Sequence, residues 1–230
     1  KLRSTSSRTS PWTSARATRP PVSEAEERLI PPSGEAAGSD DAILEAYLGW
    51  VAEKGLELYP EQEEAVLEVM SGRHLILGTP TGSGKSMVAM AMLFRGMCRR
   101  ERAYYTSPIK ALVSEKFFDM CRAFGAENVG MSTGDVSLNT DAPIVCCTAE
   151  VLANIAVRDG AEADVGHVVM DEFHFYGDPE RGMAWQLPLL TLPRACFMLI
   201  SATLGDTARF REELVTRTGV EVAEVATGTR

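Results

Sequence analysis

"HLILGTPTGSGKS", residues 74–86, decides how the rest of the chain is read. An apolar run leads into a turn of Thr, Pro, Gly and Ser, and Gly84-Lys85-Ser86 leads into a long stretch with helical spacing. Strand, glycine-rich turn and helix start, in that order, make a seat for phosphate. The helix N-terminus offers unpaired N–H groups and the positive end of the helix dipole. Gly82 and Gly84 give the turn the freedom that close approach to an anion needs. Lys85 is then placed for the β/γ-phosphates and the Ser86 hydroxyl for Mg²⁺. One detail departs from the generic loop: Thr79 stands where that loop has its first glycine.

Working outward, short apolar runs alternate with helical patterns. The runs are HLILG, AYYTSP, VGMST, IVCCT, HVVMD and CFMLIS. Each is continuous and apolar, as strands covered on both faces are. Upstream, AILEAYLGWVAEKG has helical spacing after the capping residues Ser39-Asp40-Asp41, and Pro60 opens a second helix that Gly72 ends. Between the runs, GKSMVAMAMLFRGMCRR, IKALVSEKFFDMCRAFG, AEVLANIAVRDG and RGMAWQLPLLTL read as helices. This alternation predicts an α/β fold, a doubly wound parallel sheet with helices on both faces. Ligands of such sheets bind beyond the carboxyl ends of the strands.

HVVMDEFH, residues 167–174, brings two acids to one such end. Adjacent carboxylates at a buried edge are costly unless a cation or polar partners meet them. Asp171 is the candidate Mg²⁺-holding acid. Glu172 is the candidate acid that orients and polarises the attacking water.

The composition is that of an acidic, core-forming protein: net charge is −9 and 45% of residues are hydrophobic. That balance argues against broad coating of nucleic acid, but leaves room for a local basic groove. The five cysteines lie in apolar stretches without metal-ligand spacing, so buried free thiols in a reducing, cytoplasmic setting are expected. No run is long enough to span a membrane. Residues 1–39 are a different material, rich in Ser, Thr, Arg and Pro, and are expected to be a disordered tail. Residues 1–30 carry six basic and three acidic side chains, against 17 and 29 in the remainder. The folded unit is expected over 40–230.

Taken together, the motifs resemble the first RecA-like domain, a P-loop NTPase fold, of a DExH-box superfamily-two helicase. In that family Thr79-Pro80-Thr81-Gly82-Ser83-Gly84-Lys85-Ser86 is similar to the first motif, where a small residue replaces the first glycine. Asp171-Glu172-Phe173-His174 resembles the DExH box, and Ser201-Ala202-Thr203 the motif that links hydrolysis to strand separation. YTSPIKALVSEKF (105–117), STGD (132–135) and TAEVL (148–152) resemble the motifs that touch the nucleic-acid backbone. YPEQEEAV resembles the segment whose Gln, here Gln62, reads adenine. The wording is nearest to the RNA helicases that work with the exosome and their bacterial relatives.

The resemblance implies ATP and Mg²⁺ as cofactors. It implies a sequence-independent backbone track over Pro108, Lys110, Thr133, Gly134 and Thr148 for single-stranded or partly duplex nucleic acid, RNA favoured over DNA. It implies that His174 passes nucleotide state to Ser201 and Thr203, and that a second RecA-like domain supplies arginine fingers. The chain begins with Lys and ends about 25 residues after the Ser-Ala-Thr motif, so it is expected to be a fragment with little turnover of its own. Two other readings stay open: a nucleotide-binding module that acts through partners without turnover, and a DNA translocase on the same fold.

Overall fold

A computed structural model describes residues 28–34, 37–78, 84–203 and 205–226. Thr79, Pro80, Thr81, Gly82 and Ser83 lie outside the described residues, as do residues 1–27.

Helix α1 runs Asp40–Glu53; Ser39 Oγ accepts the Ala42 N–H at 3.2 Å, and Asp40 and Asp41 complement the positive end of the helix. Helix α2 is Pro60–Met70, with proline at the first position, where its missing N–H costs nothing. Then follow β1 (His74–Gly78), α3 (Lys85–Arg99), β2 (Ala103–Ser107), α4 (Lys110–Phe124), β3 (Val129–Ser132), β4 (Ser137–Leu138), β5 (Ile144–Thr148) and α5 (Ala149–Asp159). The last third holds β6 (His167–Met170), α6 (Gly182–Thr191), β7 (Cys196–Ser201), α7 (Ala208–Thr218) and β8 (Val222–Ala226).

The strands form one sheet in the order β4-β3-β5-β2-β6-β7-β1-β8. Every pairing is parallel except β3 with β4. This is the doubly wound sheet that the alternation predicts, matching the RecA-like fold that the resemblance implies, and all six apolar runs lie in it. The sequence reading missed β4, α7 and β8.

Two hydrophobic clusters cover the two faces. One joins α1, α2, α3 and α4 to the sheet through residues such as Tyr47, Val66, Phe94 and Phe124. The other joins α5, α6 and α7 through Leu152, Trp185 and Leu214, with Phe173 and Phe197 fully buried. Each such aromatic or aliphatic side chain contributes on the order of 1.5–3 kcal/mol by leaving water. Leu29 is 2% exposed and its N–H donates to Ala123 O at 2.8 Å, so packing begins before the expected boundary at residue 40.

At the amino ends of the strands sits a polar network that fixes the helices on the sheet. His167 is buried; Arg95 donates to its Nε2 at 3.0 Å, and Arg95 and Arg99 both reach Asp40. His167 is therefore structural. Among the described residues the five cysteines are free thiols; Cys146 and Cys147 are buried and Cys98, Cys121 and Cys196 half-buried. Burial pushes the Cys147 and Cys196 thiols up to about 12, which keeps them protonated and unreactive. No helix among the described residues is long and apolar enough to cross a membrane.

Candidate nucleotide and nucleic-acid sites

Two groups of polar residues share the carboxyl edge of the sheet. The first lies over β1, β7 and β6. Gly84 caps α3 in the left-handed region at φ +74°, a conformation natural to glycine. A Cβ at Gly84 would stand 1.9 Å from Gln62 Nε2. Gln62 is therefore packed against the end of the phosphate loop. It is 6% exposed, and its Oε1 accepts the Tyr59 N–H at 2.9 Å. An exposed helix glutamine is excluded; the residue ties the start of α2 to the start of α3. Lys85 and Ser86 open α3 and are half-buried. Its first turn holds no acid, so the positive helix end is left for an external anion.

Asp171 stands just past β6. Its Oδ2 accepts the Tyr105 hydroxyl at 2.6 Å and its Oδ1 accepts the Glu172 N–H at 3.0 Å. Its own N–H donates to Thr106 O at 3.0 Å. The carboxylate is thus oriented from two sides. Glu172 sits in the left-handed region at φ 57°, ψ 44°, unusual for a residue with a side chain. Strain of this kind costs of order 1–3 kcal/mol and persists where the surroundings over-determine it. His174 Nδ1 lies 3.2 Å from Glu172 Oε2, and its ring packs on Phe175 at 4.7 Å between centroids.

Ser201 ends β7, in register with Gly78 of β1, and accepts the Thr203 N–H at 3.2 Å. Ser201 is buried between the strand that leads to the phosphate loop and the strand that leads to Asp171. Among the described residues no hydrogen bond joins His174 to Ser201 or Thr203; His174 meets Glu172 instead.

The donor chemistry suits a hard divalent cation held together with phosphate. Ser86 offers a hydroxyl and Asp171 a fixed carboxylate, and Mg²⁺ is usually bound through one or two carboxylates plus substrate phosphates. Among the described residues no three His, Cys, Asp or Glu side chains converge into a self-sufficient metal cage.

The second group is a cleft over the ends of β2, β3 and β5. It is lined by Pro108, Ile109, Lys110, Thr133, Gly134 and Thr148, together with Glu150, Val151, Asn154 and Arg181. All five track residues read from three separate motifs meet in this one groove. Lys110 is ion-paired with Asp135. Arg181 was not foreseen. It donates to the Pro108 carbonyl, lies 3.1 Å from Glu150 Oε1 and stacks over Phe175 at 5.2 Å. It therefore ties the segment after Asp171-Glu172 to the groove. Its only sequence signal is a basic residue shortly after an acidic strand end, which is too common to single out.

A family model described as DEAD/DEAH box helicase matches residues 59–210. Among curated proteins, the chain is 39% identical to the Antiviral helicase SKI2 of Saccharomyces cerevisiae over 160 residues, 67% of this chain and 12% of that protein. It is 34% identical to the ATP-dependent RNA helicase mtr4 of Schizosaccharomyces pombe over 158 residues, 67% of this chain and 14% of that one. The chain thus spans less than a fifth of the length of these relatives. Among solved structures, a hypothetical ATP-dependent RNA helicase from Sulfolobus tokodaii superposes with a TM-score of 0.61 at 17% identity, covering 80% of this chain and 56% of that one. The match runs from the segment around Gln62, through Lys85-Ser86 and Asp171-Glu172, to Ser201-Ala202-Thr203, and the chain belongs to the DEAD/DEAH box helicase family.

Proposed function

We propose that the chain is the ATP-binding motor half of an ATP-dependent RNA helicase. The observation that carries this is the placement of two sites on one sheet edge. A phosphate seat at α3 and Asp171 lies next to a groove of hydroxyl, backbone and basic groups at β2, β3 and β5.

Lys85 and the α3 N-terminus would hold the phosphates, and Gln62 the base. Ser86 and Asp171 would hold Mg²⁺, which when bound offsets phosphate charge. Glu172, kept near His174, orients and polarises the attacking water. Ser201 links the two strands that carry these groups. Pro108, Lys110, Thr133, Gly134 and Thr148, with Arg181, would grip the sugar-phosphate backbone without reading sequence. A second RecA-like domain would supply the arginine fingers, worth ~10³–10⁵ in rate where one has been measured. RNA is favoured over DNA by the motif wording and by the similarity to the ATP-dependent RNA helicase mtr4.

The test is ATP hydrolysis by the full-length gene product with and without single-stranded RNA or DNA. RNA should stimulate turnover. Glu172→Gln should keep nucleotide binding and lose about 10²–10⁴ in rate, and Lys85→Ala should lose binding. Binding that ignores Lys85→Ala would overturn the nucleotide assignment. Binding with no turnover in the full-length product would establish a module that acts through partners. Stimulation by DNA alone would move the substrate to DNA.

A further inference from the structure

Helix α4 carries a lysine in a place where packing asks for an apolar residue. Val113 and Met120 are buried, Phe117 packs against the same core, and Lys116 falls on that inward stripe. Its side chain is 17% exposed. Its ammonium does not turn out to water. It reaches across to the start of α3, where Nζ lies 3.4 Å from Ser86 Oγ, with Asp119 at 3.7 Å behind it.

Electrostatically this is an awkward address. The N-terminus of α3 is the positive end of a helix, with Lys85 at its first position and no acid in its first turn. A second, largely desolvated ammonium there is unfavourable unless an anion joins it. Asp119 offsets the charge only in part, being itself about one-third exposed. A phosphate group beside Ser86 would supply that anion.

We propose that Lys116 is a second phosphate-binding cation of the nucleotide site, delivered from α4. The proposal rests on the nucleotide reading above and extends it to a residue outside the phosphate loop. The same helix lines the nucleic-acid groove with Lys110, six residues earlier, or about 9 Å along the helix axis.

The first measurement needs no variant. The chain is acetylated with acetic anhydride with and without saturating Mg-ADP, and each lysine is read by mass spectrometry. Labelling of Lys85 and Lys116 should fall severalfold together. Protection of Lys85 with unchanged labelling of Lys116 would overturn the assignment and leave the nucleotide site standing. Protection of neither would overturn the nucleotide reading itself.

The second measurement is the affinity for a fluorescent ADP analogue, in Mg²⁺ and in EDTA. Lys116→Met should weaken binding by about tenfold in both, since a charge-assisted contact to phosphate does not need the metal. Lys116→Arg should restore most of it. A purely structural lysine would give equal affinities for the Met variant and the unmodified chain at unchanged melting temperature, and that result would also overturn the proposal.

Discussion

The Tyr105 hydroxyl donates to Asp171 Oδ2 at 2.6 Å across 66 residues of sequence. Tyr105 belongs to β2 and Asp171 follows β6, its parallel neighbour. Burial first, and then the Asp171 charge, hold the phenol well above its ordinary pKa, so the O–H stays a donor. Tyr105→Phe removes that one bond and keeps the ring in the core. The candidate metal-holding carboxylate would then be free to turn. The expected result is a rise of about tenfold or more in the Mg²⁺ concentration for half-maximal nucleotide binding, the usual scale for losing a partner that orients a ligand. Binding in EDTA should not change. A fluorescent-nucleotide titration against Mg²⁺ checks both.

Much of this was legible before the fold. Six of the seven parallel strands announce themselves as apolar runs because both their faces are covered. Helix α7 was missed because only Leu214 of its eleven residues is buried, which leaves no apolar stripe to read. Strand β4 was missed because it has two residues, both exposed. The site divides the same way. Lys85, Asp171 and the groove residues sit at strand ends, where local order alone places them. Tyr105, Lys116 and Arg181 act by reaching another element, and nothing in AYYTSP marks its second tyrosine as the one facing Asp171.

Gly84 leaves no room for a Cβ beside Gln62 at the phosphate end. Gly84→Ala puts a Cβ at φ +74° and 1.9 Å from Gln62 Nε2. The backbone penalty is about 1–2 kcal/mol. The amide of Gln62 can swing aside, so the fold should survive at that cost. The position from which Gln62 is proposed to read the base should not. The expected outcome is a modest fall in denaturant midpoint with weaker preference for ATP over GTP. A variant with undiminished preference would show that Gln62 does not read the base.

Acid should weaken this fold earlier than its carboxylates require. Burial lowers His74 to about 4, and burial together with Arg95 and Arg99 lowers His167 to about 3. Both are acceptors in neutral form: His74 Nδ1 takes the Phe197 N–H at 2.9 Å, and His167 Nε2 faces the Arg95 guanidinium at 3.0 Å. Their folded pKa values lie below the unfolded value near 6.5, so the unfolded chain binds more protons in between. Their stabilising contribution is complete above pH 6.5 and is lost as pH falls from there towards about 4 for His74 and about 3 for His167. Each should cost about 1.4 kcal/mol per pH unit in that window. Urea denaturation at pH 7.5 and 5 measures the loss. His74→Gln should flatten the dependence, and an equally steep profile would place the effect elsewhere.

Arg181 and Lys110 both line the groove and should differ in what they do. Lys110 is more than half exposed and paired with Asp135, so it offers one screened charge. Lys110→Ala should weaken oligouridylate binding uniformly across sequences and lower the salt slope by about 1. Arg181 also bonds the Pro108 carbonyl and covers Phe175, the residue next to His174. Arg181→Lys keeps the charge but gives up the planar stacking and the forked hydrogen bonding. It should leave the salt slope near normal while reducing RNA-stimulated hydrolysis in the full-length product more than basal hydrolysis. Equal loss of both rates would reduce Arg181 to a simple prop for the groove wall. Selective loss of stimulation would make it the connection between the groove and the segment that carries Glu172.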